Sequence, residues 1–157
     1  MTHPEIHMST HWTVYLSGEI HSDWREQIIE GARAGGLDVS FTAPVTDHAR
    51  SDDCGVEILG AEQNSFWHDR KGAGINAIRT RTQIEKADVV VVRFGDKYRQ
   101  WNAAFDAGYA SALGKPVITL HDPALNHALK EVDEAAQATC EQPGQVVDIL
   151  RYVLSQG

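Results

Sequence analysis

The sequence predicts a single α/β domain built on a doubly wound, parallel five-stranded sheet. Short apolar runs alternate with stretches of helical periodicity, which is the pattern of consecutive βαβ units. One run, Val89–Val92, is apolar throughout, as expected of a strand buried on both faces. At 157 residues the chain has the length of one ordinary domain. We expect the flavodoxin-like strand order 2-1-3-4-5, in which ligands bind beyond the carboxyl ends of strands one and three.

The first part of the chain supplies two strands and the helix between them. Residues 12–16 are rich in β-forming residues and predict strand one. Asp23 and Glu26 have the spacing of a capping box, so a helix is predicted from there to a following pair of glycines. Residues 37–41 alternate between apolar and polar and predict strand two, which Pro44 ends.

Residues 44–74 form the least regular part of the sequence, and only a short helix around 53–60 is predicted there. An insertion of this length in a small domain is usually functional or mobile. A regular helix is predicted from Gly74 to Lys86. Its three isoleucines are expected to face the core: Ile75, Ile78 and Ile84.

The second half of the chain continues the alternation of strands and helices. Apolar runs predict the strands, and small or amphipathic stretches predict the helices. The predicted bounds are strand three at 89–94, a helix at 101–113, strand four at 116–120, a helix at 123–137, an edge strand at 138–141 and a helix at 146–154.

The composition excludes several classes of partner. The net charge is −8, whereas proteins that bind duplex nucleic acid carry a basic face, so we expect neither nucleic acid nor an anionic membrane surface as a partner. No apolar run approaches the roughly 18 residues of a membrane span. Cys54 and Cys140 form no paired motif, and residues 1–11 are polar. We therefore expect a cytoplasmic protein with a flexible extension at 1–11 before the domain at 12–157.

Asp106 is the most informative polar residue. It lies within a predicted helix among Ala and Gly, where Asp is unfavourable, and this helix follows strand three at the expected ligand-binding edge. Asn102 lies one turn earlier on the same face. For an isolated residue of this type, an exposed Asp on a solvated face is the alternative. The position favours a functional carboxylate, with Gln100, Trp101 and Asn102 beside the ligand.

A second group of candidates follows or ends strand one. Glu19 can hold sugar hydroxyls, and His21 can donate to a ligand or move a proton. Gly18 and Arg25 lie in the same segment and are expected to contact the substrate. For Glu19 and His21 the alternative is a surface turn that caps the next helix. For Tyr15 the alternative is core packing with a hydrogen-bonded hydroxyl.

Further candidates lie in the irregular segment and on the helix before strand three. His48, Arg50 and Asp52 can lean over the crevice, whereas Asn76 and Arg79 lie on the helix. Either arginine can pair with a phosphate, although an exposed amphipathic face is the alternative. The spacing matches no zinc or calcium pattern, so no metal is expected. The chain also lacks GxxxxGK[ST], GxGxxG after strand one and GxSxG, and no cofactor is expected.

Five motifs are distinctive in combination: Tyr15-Leu-Ser-Gly-Glu-Ile-His-Ser-Asp-Trp-Arg-Glu26, Ala87-Asp88, Gly95-Asp-Lys-Tyr-Arg-Gln-Trp-Asn102, Asp106-Ala-Gly-Tyr-Ala110 and Gly114-Lys-Pro116. Together they closely resemble the bacterial YtoQ family, a distant relative of the nucleoside 2-deoxyribosyltransferases. The resemblance runs from near residue 12 to the C-terminus and implies a site that processes nucleosides.

The resemblance also implies roles for individual residues. The wider group uses a Glu on the helix after strand three to attack the anomeric carbon, and the matching residue here is Asp106, one methylene shorter. The tyrosine that helps to orient this nucleophile matches Tyr15. The group's Asp residues that handle the base fall on Gln100 and Thr80. An amide can bind the edge of a base but cannot protonate it.

We therefore expect an enzyme that cleaves or transfers the N-glycosidic bond of a nucleoside or nucleoside 5′-monophosphate. Asp106 is expected to attack, Tyr15 to position it, and Glu19 to hold sugar hydroxyls. His21 or His48 is expected to protonate the leaving base. A 5′-phosphate is expected on one of three arginines: Arg25, Arg50 or Arg79.

Two other functions are compatible with the sequence. The fold can serve as a nucleotide-sensing or interaction module without turnover, since fold does not fix function. A weaker alternative is another small-molecule hydrolase on the same scaffold. Because relatives of this fold often complete their sites at a subunit interface, the resemblance also implies a homo-oligomer.

Overall fold

Five strands and seven helical segments alternate in the computed structural model, which describes residues 11–155. The rest of the predicted extension, residues 1–10, lies outside the described residues. In chain order the elements are β1 (Trp12–Gly18), α1 (Trp24–Ala34), β2 (Val39–Thr42), α2 (His48–Leu59), α3 (Ser65–Lys86), β3 (Val89–Arg93), α4 (Trp101–Ala112), β4 (Val117–Leu120), a 3₁₀ turn (Pro123–Leu125), α5 (Lys130–Glu134), β5 (Ala138–Cys140) and α6 (Pro143–Leu154).

The five strands form one parallel sheet in the order β2-β1-β3-β4-β5. In the register of the two central strands, Val14 of β1 lies opposite Val89 of β3, and Leu16 lies opposite Val91. The chain reverses its direction of winding between β1 and β3, which places the switch point of a doubly wound sheet there. The predicted fold class and strand order are confirmed.

Both faces of the sheet are covered by helices, as the apolar character of the central strands requires. On one face, Trp24 and Ile28 of α1 pack with residues of α6 against the strands. On the other face, α4 contributes Ala103 and Ala107, whose small side chains allow close contact with the sheet. Within residues 11–155, no helix combines the length and apolar character that a membrane crossing requires.

The segment 44–74 is more regular than predicted, because it forms α2 and the first half of α3. Asp47 caps α2 by accepting a hydrogen bond from the Arg50 backbone, and Asn64 caps α3 in the same way. The two helices pack on each other so closely that a Cβ at Gly55 would lie 2.3 Å from the backbone nitrogen of Gly72. Contact through glycines leaves little apolar periodicity in the sequence, so this helical hairpin was not predicted.

Two further predictions of local structure were wrong. Ile78 is 70% exposed rather than directed to the core, because α3 contacts the sheet mainly near its end, where Ile84 is fully buried. The predicted helix at 123–137 is divided into the 3₁₀ turn and the short α5. In α5, Asp133 contacts the buried ring of His121, with 2.8 Å between its Oδ2 and Nε2 of the histidine. This contact fixes α5 in place separately from the 3₁₀ turn.

Gly18 brings the ends of β1 and β3 together. Its φ of +110° is unfavourable for other residues, and a Cβ there would lie 2.1 Å from the carbonyl oxygen of Arg93. The next residue, Glu19, donates its backbone N–H to the same oxygen at 3.1 Å. The ends of β1 and β3 therefore approach each other closely at the switch point, and the side chains that follow these two strands lie close together.

Candidate active site

A cavity of about 960 Å³ opens at the carboxyl ends of β1 and β3. Its floor and one side are formed by the turn after β1, the loop after β3 and the first two turns of α4. The opposite side is formed by α2 and α3. The helical hairpin thus supplies a wall that the sheet alone does not provide, and the volume is that of an ordinary small-molecule site.

Asp106 lies on the wall of this cavity and is buried by the surrounding protein. The hydroxyl of Ser17, at the end of β1, donates a hydrogen bond of 2.7 Å to its Oδ2. Burial raises the pKa of Asp106, and the hydrogen bond from Ser17 opposes that rise. The contact between Ser17 and Asp106 joins residues 89 positions apart in sequence. Sequence reasoning assigned Ser17 no role of its own.

Tyr15 is fully buried within β1, on the same face of the sheet as α4. Among the described residues its hydroxyl has no hydrogen bond of good geometry, although the Thr80 side chain lies close enough to lower its pKa in part. Burial is the main cause that raises the pKa of Tyr15 to about 12, and the charge of Asp106 raises it further. Tyr15 is therefore neutral near neutral pH, with an O–H group near the Asp106 carboxylate.

Glu19 borders the cavity, but its carboxylate is engaged in the turn after β1. It accepts hydrogen bonds from the backbone N–H of His21 and from the Ser22 hydroxyl, the latter at 2.6 Å. Burial acts to raise the pKa of Glu19, but these bonds and the charge of Arg93 outweigh it and hold the pKa below its usual value. The structure therefore gives Glu19 a role in shaping the turn.

Arg25 does not line the cavity, and the structure does not support its predicted contact with a phosphate. Its side chain is buried, and its three nitrogens donate to the backbone carbonyls of Leu16, Glu19 and Gly18 at 3.0, 2.6 and 3.1 Å. Its guanidinium also lies 4.5 Å from the centre of the Trp24 ring. These contacts engage Arg25 in the end of β1, and a ligand in the cavity does not reach it.

Two other predicted contacts also lie away from the cavity. Arg50 is exposed and does not line it, because on α2 the residues that face it are His48, Ser51 and Asp52. These have the three- and four-residue spacing of one helix face, and Arg50 lies on the other side. Trp101 is 74% exposed at the first position of α4, outside the cavity.

The remaining predicted residues of the hairpin do line the cavity. The Nε2 atom of His48 lies 3.1 Å from Oδ2 of Asp52, one turn along α2. Asn76 donates from Nδ2 to the carbonyl of Ser51 at 2.9 Å and so joins α3 to α2. Arg79 donates to the carbonyl of Ala43 at 3.2 Å. Each of these contacts fixes one part of the hairpin wall.

On the sheet side, His21 and the loop before α4 complete the cavity. The His21 ring centre lies 4.9 Å from that of Tyr98 and 6.5 Å from that of His48. Gln100 accepts a hydrogen bond of 2.9 Å from the backbone of Gly95 through Oε1, and Asn102 is exposed to the cavity. With Asn76 of the hairpin, two imidazoles and three side-chain amides therefore line the same cavity as Asp106.

Several residues of the site were missed by sequence reasoning: the cavity residues Tyr98, Arg81, Arg99 and Phe105, and Ser17, which contacts Asp106 from outside the cavity lining. Tyr98, Arg99 and Phe105 lie between residues 95 and 106, a segment that the fold class already places at the ligand-binding edge. These residues could therefore have been identified from their position after a central strand, but not from their residue types alone.

Comparison with known proteins agrees with the sequence motifs. A match to the family described as "Nucleoside 2-deoxyribosyltransferase YtoQ" spans residues 15–154. The chain belongs to the YtoQ family. It is 45% identical over 140 residues to the "Uncharacterized protein YtoQ" of Bacillus subtilis (strain 168). The aligned region covers 89% of this YtoQ-family chain and 95% of that protein. The predicted resemblance is confirmed.

Solved structures resemble the YtoQ-family chain in fold. A 2-deoxyribosyltransferase from Bacillus psychrosaccharolyticus matches with a TM-score of 0.55 and 18% identity, over 90% of this chain and 95% of that one. A conserved protein from Enterococcus faecalis V583 matches with a TM-score of 0.62 and 14% identity, over 90% and 98% of the two chains. At these identities the likeness concerns the arrangement of the sheet and helices.

Proposed function

We propose that this YtoQ-family chain cleaves the N-glycosidic bond of a nucleoside or nucleoside 5′-monophosphate, with Asp106 as the nucleophile. The observation that carries the proposal is the buried Asp106 carboxylate on the cavity wall. Ser17 holds its Oδ2, whereas Oδ1 accepts no hydrogen bond from a described residue. A carboxylate held at one oxygen and open at the other is suited to attack a carbon in the cavity.

The reaction follows from this arrangement. An oxygen of Asp106 forms a bond to the anomeric carbon as the bond to the base nitrogen breaks, and the electron pair of that bond leaves with the base. The base takes up a proton, which leaves a covalent glycosyl ester on Asp106. Water then attacks the same carbon, loses its proton to a base and frees the carboxylate. A second nucleobase in place of water gives transfer instead of hydrolysis.

The proton for the leaving base is best supplied by an imidazole. His21 and His48 both line the cavity, and Asp52 holds the ring of His48. General acid catalysis of this kind contributes roughly 10²–10⁴-fold to a rate. The amide groups of Gln100 and Asn102 are placed to bind the edge of the base. Neither amide replaces the imidazole as an acid.

A nucleotide-binding module without turnover is the second candidate, and the raised pKa of Asp106 favours it. A protonated carboxyl group can hold a sugar hydroxyl but cannot attack the anomeric carbon. The two functions predict opposite results for base release.

The quaternary structure and location belong to this proposal as predictions. Phe66, Trp67 and Trp101 are each more than half exposed, and a homo-oligomer would cover them. A cytoplasmic location suits an enzyme that acts on nucleosides.

Base release measured by chromatography tests the proposal. Wild type, Asp106→Asn and the matched control Asp96→Asn are incubated with a panel of ribo- and deoxyribonucleosides and their 5′-monophosphates. Asp96 is an exposed residue of the loop after β3 that does not itself line the cavity. We expect release by wild type and Asp96→Asn, and a loss of at least about 10³-fold in Asp106→Asn. Exchange on addition of a second base identifies a transferase. Equal release by all three proteins excludes Asp106 as nucleophile, and binding without release by wild type favours the module.

A further inference from the structure

The charged side chains around the cavity are not equally engaged. Each cavity carboxylate described above has a partner: Glu19 in its turn, Asp52 with His48 and Asp106 with Ser17. The fourth, Asp69, lies 3.6 Å from Nδ1 of His68. Each carboxylate of the cavity wall therefore has a hydrogen-bond or imidazole partner within the protein.

The arginines of the same cavity are mostly unengaged. Arg81 on α3 and Arg99 in the loop before α4 make no hydrogen bond or ion pair of their side chains with any residue in the described range 11–155. Arg79 uses one nitrogen for the Ala43 carbonyl and keeps its other donors. By contrast, Arg33 and Arg151 on the opposite side of the molecule each pair with a carboxylate at 2.7 or 2.8 Å.

This difference is informative because of the overall charge. In a chain of net charge −8, the field of the whole protein repels anions, so an anion is held only where positive side chains are brought together. Arg79, Arg81 and Arg99 line one concave space from two sides with most of their donors free, and they supply the positive charge that an anion would need there. Guanidinium groups bind phosphate oxygens through paired, charge-assisted hydrogen bonds.

We propose that Arg79, Arg81 and Arg99 form an anion subsite for a phosphate monoester carried by the substrate. The inference rests on the function proposed above, and it selects the nucleoside monophosphate over the nucleoside. The cavity of about 960 Å³ has room for both the glycoside and its phosphate. Of the three arginines that the sequence predicts for a phosphate, Arg79 belongs to this subsite, whereas Arg25 and Arg50 do not line the cavity.

Binding without turnover tests the subsite directly. In the Asp106→Asn background, calorimetry compares a nucleoside, its 5′-monophosphate and inorganic phosphate. We expect the monophosphate to bind at least about tenfold more tightly than the nucleoside, and inorganic phosphate to compete with it. Arg81→Gln and Arg99→Gln are each expected to weaken monophosphate binding by about tenfold and to leave nucleoside binding within about twofold. Arg79→Gln also removes the hydrogen bond to Ala43, so for this variant we expect the ratio of the two affinities to fall by about tenfold.

The matched control is Arg70→Gln, an exposed residue of α3 that does not line the cavity, and it is expected to change neither affinity. Equal affinities for nucleoside and monophosphate, or variants that weaken both ligands alike, overturn the subsite. The two proposals fail separately. If monophosphate binding depends on the arginines but wild type releases no base, the catalytic function fails and the anion subsite stands. If base release depends on neither the phosphate nor the arginines, the anion subsite fails and the catalytic function stands.

Discussion

Arg25 and Asp106 are both buried charged residues near the end of β1, yet the protein treats them differently. The guanidinium of Arg25 has three backbone carbonyls as partners and no access to the cavity. The carboxylate of Asp106 has one hydroxyl partner and faces the cavity. Burial penalises both charges: it lowers the pKa of Arg25 to about 10 and raises that of Asp106. The number of partners that the protein supplies separates a charge that stabilises the fold from one that is free to act.

The largest effect on stability is expected at Arg25. Replacement by Met leaves three carbonyls without their charged donor, and we expect the free energy of unfolding to fall by about 3–5 kcal/mol. Arg25→Lys keeps the charge but not the fork of donors, so we expect a smaller loss. Urea unfolding followed by circular dichroism measures both changes.

A matched control for Arg25 lies on the same helix. Arg33 is exposed and paired with Glu30, so Arg33→Met is expected to change stability by less than about 0.5 kcal/mol. If Arg25→Met lowers the free energy of unfolding no more than Arg33→Met does, Arg25 does not stabilise the fold, and its contrast with Asp106 does not hold.

A smaller effect of opposite sign is expected at Asp106. Because its pKa is higher in the folded state than in the unfolded state, the folded state binds the proton more tightly, and ionisation weakens the fold as the pH rises. Asp106→Asn removes that cost. We expect it to be more stable than wild type at pH 7, by about 1 kcal/mol or roughly 2–4 °C in Tm.

The pH dependence of this gain separates charge from packing. As the pH falls below the ordinary Asp value, wild type is protonated in both states, and the advantage of Asp106→Asn disappears. Thermal melts across pH measure it, with Asp96→Asn as the exposed control. A gain that is constant with pH would mean that the charge is not its source.

The smallest effect concerns Ser17 and appears in the pH profile of base release. The Ser17 hydroxyl lowers the pKa of Asp106, so Ser17→Ala is expected to raise it. The acid limb of kcat/KM, where Asp106 becomes protonated, should then move to higher pH. Ser22→Ala, which removes a hydroxyl from Glu19 instead, is the control and should leave the limb in place. If Ser17→Ala releases base more slowly but the acid limb of kcat/KM stays in place, the role of Ser17 is in packing and not in the pKa of Asp106.

The parts of the fold that were predictable are those whose pattern reflects burial against the sheet. β3 was predicted to within one residue, because four consecutive valines have few other uses in a domain of this size. α4 was predicted equally well from its small residues. The helical hairpin was not, because its two helices bury glycines against each other and present polar side chains to a cavity.

The same reasoning separates the site residues. Asp106 could be placed at the cavity because the switch point lies at the ends of β1 and β3, whatever the side chain. Arg25 could not be excluded, since its partners are backbone carbonyls and no sequence pattern displays them. Ser17 and Arg99 lay in the correct segments, but polar residues are common at the ends of strands and in loops, so only the folded geometry distinguishes these two from their neighbours.

The hairpin of α2 and α3 has a consequence for how this family can change. In the described part of the chain, α2 contributes no side chain to either core cluster, and α3 contributes only Ile84. The contact between Gly55 and Gly72 holds the two helices to each other more than to the sheet. One wall of the cavity is thus a hairpin whose helices pack mainly on each other, and Asp106 lies on the other wall. Substitutions in the hairpin can therefore change the lining of the cavity while the scaffold that holds Asp106 stays intact.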